Sequence, residues 1–135
     1  MKIAVDFDGT IVEHEYPEIG REKPFAVDTL KHLAADGHKL ILWTVRSGKE
    51  LKEALKWCDE RGLHFYAVNG NLPEGALFPH PHDGSPKVLA NIYIDDANIG
   101  GIPEWPEIYE IISGKAQNSL RRHSRRALFR RLFGL

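Results

Sequence analysis

The sequence predicts an α/β protein, a three-layer α/β/α sandwich in which helices cover both faces of a mainly parallel sheet. Three observations predict it. Short apolar runs alternate along the chain with stretches of helical periodicity, the pattern of successive strand–helix–strand units. Two of those runs end abruptly in acids or turn residues, at Asp8-Gly9 and Asp95-Asp96, as buried strands do where they leave a sheet. At 135 residues, 42% hydrophobic and 27% charged, the chain suits a single core and is not a disordered polyelectrolyte.

The run Lys2-Ile-Ala-Val-Asp-Phe7 reads as the first strand, stopped by Asp8-Gly9. From Thr10 to Lys23 the residues are charged, include Tyr16-Pro17 and Gly20, and keep no period, so an exposed loop or small hairpin is expected. Pro24 suits the first position of a helix whose apolar face carries Phe25, Leu30 and Leu33 and which Gly37 stops. His38 to Trp43 is the second strand. Ser47-x-x-Glu50 has the form of a capping box, so a second helix starts at Ser47 and runs through Leu51, Leu55 and Cys58 to Gly62. Leu63 to Val68 is a third strand. After it come about twenty residues rich in Gly, Pro, Asn and His with no regular element, the kind of long stretch that often serves function. Asn91 to Ile94 is a fourth strand, and Pro103 to Ser113 a last helix that Gly114 ends.

Charge divides the chain. All 19 acids lie at or before Glu110, whereas six arginines fall between Arg121 and Arg131, leaving residues 1–117 at net −7 and the last 18 at net +6. This composition boundary separates an acidic folded body, residues 1–115, from a basic tail, residues 116–135. No apolar run approaches the roughly 20 residues of a membrane span. Met1-Lys2 leads directly into a strand carrying acids, unlike a secretory signal, so a cytoplasmic location is expected. One cysteine, Cys58, can form neither an intrachain disulfide nor a multi-thiolate zinc site, so redox chemistry is not expected.

Three strand ends carry unusual polar residues: Asp6 and Asp8, Thr44 and Arg46, Asp95 and Asp96. In open parallel sheets ligands bind at the carboxyl edge, so these groups should converge in one crevice. Four carboxylates brought together repel unless a cation neutralises them, and hard oxygen donors suit Mg²⁺. The plainer alternative is that each acid caps a turn. Arg46 and the N–H groups at Ser47 and Gly48 stand where a substrate anion could be held; capping and a surface charge are the alternatives.

Taken in order, Asp6-Phe-Asp8-Gly9-Thr10, Leu42-Trp-Thr44, Lys87 and Ile94-Asp95-Asp96 resemble the four motifs of the haloacid dehalogenase (HAD) superfamily, over residues 1 to about 112. The chain looks like its small uncharacterised hydrolases. The resemblance implies a Rossmann-like sheet of strand order three, two, one, four. It implies a Mg²⁺-dependent phosphomonoester hydrolase in which Asp6 is the nucleophile, forming an aspartyl-phosphate, and Asp8 is general acid and then base. An aspartate at the second position is carried by phosphatases of the superfamily and lacked by its dehalogenases. Thr44 would hydrogen-bond a phosphoryl oxygen, and Lys87 would set an ammonium beside the nucleophile. Asp95 would complete the Mg²⁺ ligands with the Asp6 carboxylate and the Asp8 carbonyl oxygen, with Asp96 supporting them. Which of Asp95 and Asp96 touches the metal is left open. Larger members insert a cap domain where this chain has room only for loops, so a capless crevice, open to small or macromolecular phosphorylated substrates or closed by a second subunit, is expected. The loop from Asn69 to Ser85, with Phe78-Pro-His80-Pro-His82, could form part of its wall.

Other features carry less. His80-x-His82 lacks a third ligand for zinc. The tail could meet nucleic acid or a membrane surface, but on a helical wheel Arg121 and Arg125 fall near Leu128 and Leu132, so its faces separate poorly. Two other functions compete. A phosphotransfer module of receiver type would also use clustered acids, Thr and Lys, but it carries its phosphoacceptor on a middle strand. A non-catalytic binding protein that keeps the fold is the other.

Overall fold

β1 (Lys2–Val5) pairs with strands on both sides, and its apolar residues Ile3, Ala4 and Val5 are buried. The computed structural model describes residues 1–77 and 85–114. Beyond β1 the elements are α1 (Ala26–Ala35), β2 (Lys39–Leu42), α2 (Gly48–Asp59), β3 (Ala67–Val68), β4 (Ile92–Ile94) and α3 (Trp105–Ile112). The four strands form one all-parallel sheet of order β3-β2-β1-β4, an α/β Rossmann-like fold without a cap domain. That is the strand order expected from the sequence. Ala4 stands opposite Ile41 on β2 and Tyr93 on β4, and Ile41 opposite Ala67 on β3.

Strand alternation sorts these residues into two faces. Ala4, Ile41 and Ala67 form one buried cluster with Val88, against which Trp43, Tyr66, Ala90 and Tyr93 pack. Ile3, Val5, Leu40 and Leu42, out of phase with it, are buried as well, so both faces of the sheet are apolar, as a parallel sheet requires. The Tyr93 hydroxyl donates to the Val88 carbonyl, and the Asn91 side chain accepts the Lys2 N–H at 2.8 Å. These bonds pin the segment that leads into β4. The described residues fall into two compact units, the first ending at Ile102 and the second beginning at Pro103 with α3, whose first turn contains Pro106.

Local chemistry moves some element bounds. α1 begins at Ala26 because Phe25 adopts a left-handed conformation, φ 65°, and makes a turn with Pro24 in place of a first helical turn. Phe25 is thereby turned into solvent, and the buried face is made by Ala26, Val27, Thr29, Leu30 and Leu33. Ser47 is the N-cap of α2 in extended conformation, yet its side chain makes no capping hydrogen bond, so the capping box is not formed. The third strand shrinks to Ala67–Val68. Leu63 is buried without joining the ladder, so burial rather than pairing explains its apolar character. Phe78, His80, His82 and the basic tail at 116–135 lie outside the described residues. Among the described residues no helix is long and apolar enough to cross a membrane.

Candidate functional site

Between β1 and β4 the chain order reverses direction across the sheet, and the carboxyl ends of those two strands are where such a sheet leaves a crevice. Asp6 is the first residue past β1. Its N–H donates to the Ile94 carbonyl at 3.0 Å, which fixes it beside the end of β4 and the following Asp95-Asp96. Asp6, Asp95 and Asp96 each offer a carboxylate oxygen, and these atoms all lie within 4.8 Å of one another. The expected convergence of strand-end acids is therefore present for these three.

A tight loop after β1 builds the floor. The Phe7 carbonyl accepts the N–H groups of Thr10, Ile11 and Val12, and Gly9 N–H donates to Val12 O at 2.8 Å. This places the fully buried Thr10 under the acids, with its hydroxyl 2.9 Å from Asp6 Oδ2 and 3.2 Å from Asp96 Oδ1, while it accepts the Asp96 N–H at 3.1 Å. Glycine is required at position 9 on two grounds. Its φ is +84°, and a β-carbon there would collide with the Asp96 carboxylate. Asp95 also accepts the Ala97 N–H at 2.9 Å, so for this acid the turn-capping role holds alongside its place in the cluster.

Burial pushes the Asp6 carboxyl up to about 7, against the Thr10 hydrogen bond, with the charge of Asp95 and a hydrogen bond to Asp96 adding smaller upward pushes. A nucleophilic or ligating carboxylate must be ionised, and a cation beside these three acids would favour that form. An all-oxygen donor set fits a hard divalent ion, with Asp6, Asp95 and Asp96 as the residues that could hold it.

Asp8 stands apart from this cluster. It is buried, and both its oxygens are taken by Arg46, Oδ2 by Nε and Oδ1 by Nη2, each at 2.7 Å. Arg46 donates further to the carbonyls of Pro17 at 3.0 Å and Glu18 at 2.8 Å. Asp8's hydrogen bonds raise the guanidinium further above its ordinary value, so it is permanently charged. The expectation that Arg46 receives a substrate anion is corrected here: the side chain is fully buried and its donors face a carboxylate and backbone carbonyls.

At the end of β2, Thr44 is half-buried; its N–H donates to Asn69 Oδ1 at 2.8 Å and its hydroxyl oxygen accepts the Arg46 N–H at 3.1 Å. Ser47 and Gly48 are exposed at the start of α2. Lys87 makes no ion pair with Asp6 or any other acid among the described residues. It is exposed with its ammonium 5.8 Å from the centre of the Tyr93 ring. Burial pushes the Cys58 thiol up to about 12, leaving no thiolate for chemistry. A cavity of about 510 Å³ lined by Lys2, Lys39 and Asn91 belongs to the opposite, amino edge of the sheet.

Two contributors were given no role from sequence. Thr10 sat inside the first motif, and its signal was a hydroxyl directly after Asp-Gly at a strand end. Asn69 adopts φ 48°, and its signal was Asn-Gly following the third apolar run.

No family model matches the chain, and no curated protein matches it. A solved structure of a conserved protein from Bacteroides thetaiotaomicron is similar to it, 57% identical, with the match covering 85% of this chain and 91% of that one at a TM-score of 0.76.

Proposed function

This chain belongs to the same family as the conserved Bacteroides thetaiotaomicron protein, and from the chemistry of its crevice we propose that it is a metal-dependent phosphomonoester hydrolase of the haloacid dehalogenase type. The observation that carries this reading is the convergence of Asp6, Asp95 and Asp96 within 4.8 Å at the carboxyl ends of two adjacent strands. Three carboxylates so close, one of them with its pKa near 7, make a poor structural cluster and a good cation-dependent one. Mg²⁺, when bound there, would keep Asp6 ionised and offset the charge of a phosphoryl group.

The chain's own residues then divide the work. An Asp6 oxygen attacks phosphorus, the bond from phosphorus to the leaving oxygen breaks, and that oxygen keeps the electron pair and takes a proton from Asp8, which has to pick one up from water beforehand because Arg46 holds it ionised in the resting structure. Water attacks the aspartyl-phosphate and gives its proton to Asp8, and the bond from phosphorus to Asp6 breaks with the electron pair returning to the carboxylate. Thr10 holds Asp6 in line through its hydroxyl. Thr44 and the N–H groups at Ser47 and Gly48, where no side-chain cap is made, are donors for phosphoryl oxygens at the same sheet edge. Substrates are phosphorylated small molecules or macromolecules, and the cytoplasm is the compartment that goes with the reading. The test is a panel of phosphomonoesters offered to the purified protein with Mg²⁺ or with chelator, beside Asp6→Asn. Metal-dependent turnover lost in the variant is expected. Turnover that survives Asp6→Asn sinks the covalent mechanism.

A further inference from the structure

We infer that the amino edge of the sheet carries a second binding site, for a small organic anion, in the cavity at the starts of β1 and β2. The inference is independent of the hydrolase reading above, which concerns the opposite edge. The register of the two strands sets Lys2 against Lys39, with their backbones about 4.8 Å apart as neighbouring strands are. Alternation sends both side chains to the face on which Ala4 and Ile41 are buried. The Lys39 ammonium lies 4.6 Å from the centre of the Tyr66 ring, which packs on that same face. Two like charges side by side repel. β1 and β2 are the inner strands of the order β3-β2-β1-β4, so the pair does not serve to guard a sheet edge against another chain.

The cavity has a volume of about 510 Å³, inside the range of about 300–1,000 Å³ usual for small-molecule sites. No acid is among the described residues that line it, and neither lysine forms an ion pair with a described residue. Asn91 adds a third donor: its Oδ1 accepts the Lys2 N–H at 2.8 Å, which leaves the carboxamide nitrogen for a ligand. The rest of the wall is apolar, with Met1 and Leu89, and Leu89 is 57% exposed. Donors of one charge beside bare apolar surface fit an anion with two ends, a carboxylate, sulfonate or phosphate head at the lysines and an apolar body on Leu89.

The probe is anilinonaphthalene sulfonate, which joins a charged head to an apolar body, offered to the full chain at low ionic strength. Phenylnaphthylamine supplies the same body without the charge. One-to-one binding of the sulfonate is expected at about 1 mM or tighter, with backbone amide NMR shifts at Lys2, Lys39, Leu89 and Asn91. The uncharged body should bind about 10-fold more weakly, and Lys2→Gln with Lys39→Gln should weaken the sulfonate by a similar factor without changing the uncharged body. Lys2 is half-buried and Lys39 exposed, so the double variant keeps the fold. Leu89→Ser should weaken both probes. No binding, undiminished binding of the sulfonate to the double variant, or shifts confined to other parts of the chain, the basic tail included, overturns the inference. Equal affinity for the charged and uncharged probes overturns it too, since the cavity is then an apolar patch without an anion site.

Discussion

Two carboxylates stand two residues apart in the first loop and are treated in opposite ways. Asp8 is neutralised by the chain itself, by a buried guanidinium on both oxygens. Asp6 is half-buried beside two more acids with one hydroxyl for relief, and burial above all, with Asp95 adding to it, raises its pKa to about 7. A fold able to bury an arginine for one aspartate has the means to neutralise another. The contrast teaches that the chain matches the charge of Asp8 internally and leaves Asp6, Asp95 and Asp96 without a described cation, which is the difference the proposed metal site rests on.

Four experiments break or sharpen this contrast. The largest effect is expected from Asp6→Asn, which should lower the proposed Mg²⁺-dependent phosphatase turnover at least about 10³-fold while leaving the fold intact by circular dichroism, since it would remove the proposed nucleophile without changing shape. Next, Arg46→Gln leaves Asp8 charged, buried and unpaired and should cost roughly 3–5 kcal/mol in urea unfolding. Adding Asp8→Asn should recover most of it, and a cost of the same size at Asp95 or Asp96 would erase the distinction drawn here.

The third concerns pH. Asp6 has an ordinary value of 3.8 and a folded value of about 7, so between these the folded chain binds a proton that the unfolded chain has released. Metal-free protein should therefore lose stability as pH rises through that window, by on the order of 2 kcal/mol after allowance for partial exposure. Added Mg²⁺ should restore it above pH 7, read as a rise in Tm, and a flat pH profile would contradict the raised Asp6 value. The smallest effect is expected at Asn69→Ala, which removes the carboxamide that accepts the Thr44 N–H and a residue type that tolerates positive φ. About 1 kcal/mol of stability is the expected loss in thermal unfolding.

Much of the sheet was legible because parallel strands buried on both faces read as short apolar runs, and β1, β2 and β4 do. β3 was read too long, since Leu63 owes its apolar character to burial without pairing. Phe25 was placed on a helix face because periodicity cannot reveal a left-handed turn at a non-glycine residue. In the site, strand ends alone point to four acids, of which Asp6, Asp95 and Asp96 come together while Asp8 pairs with Arg46 instead. Arg46 was misread because a lone arginine before a helix gives no sign of the buried carboxylate 38 positions earlier that it meets. The Lys87 expectation rests on motif order, which fixes a position in the chain, and the structure adds that its ammonium is exposed near the Tyr93 ring.

The strand order described above also has a meaning for the chain as it is made. Synthesis delivers β1, β2 and β3 first, and those strands can pair while β4 is still to come. Asp6 gains its acidic neighbours only when Ile92–Ile94 docks on the open side of β1, some ninety residues after Asp6 itself was added. A nascent or truncated chain ending before that point lacks Asp95 and Asp96, the other two acids of the cluster. The repelling cluster, and with it any capacity to capture an ion, is assembled as one of the last acts of building the sheet.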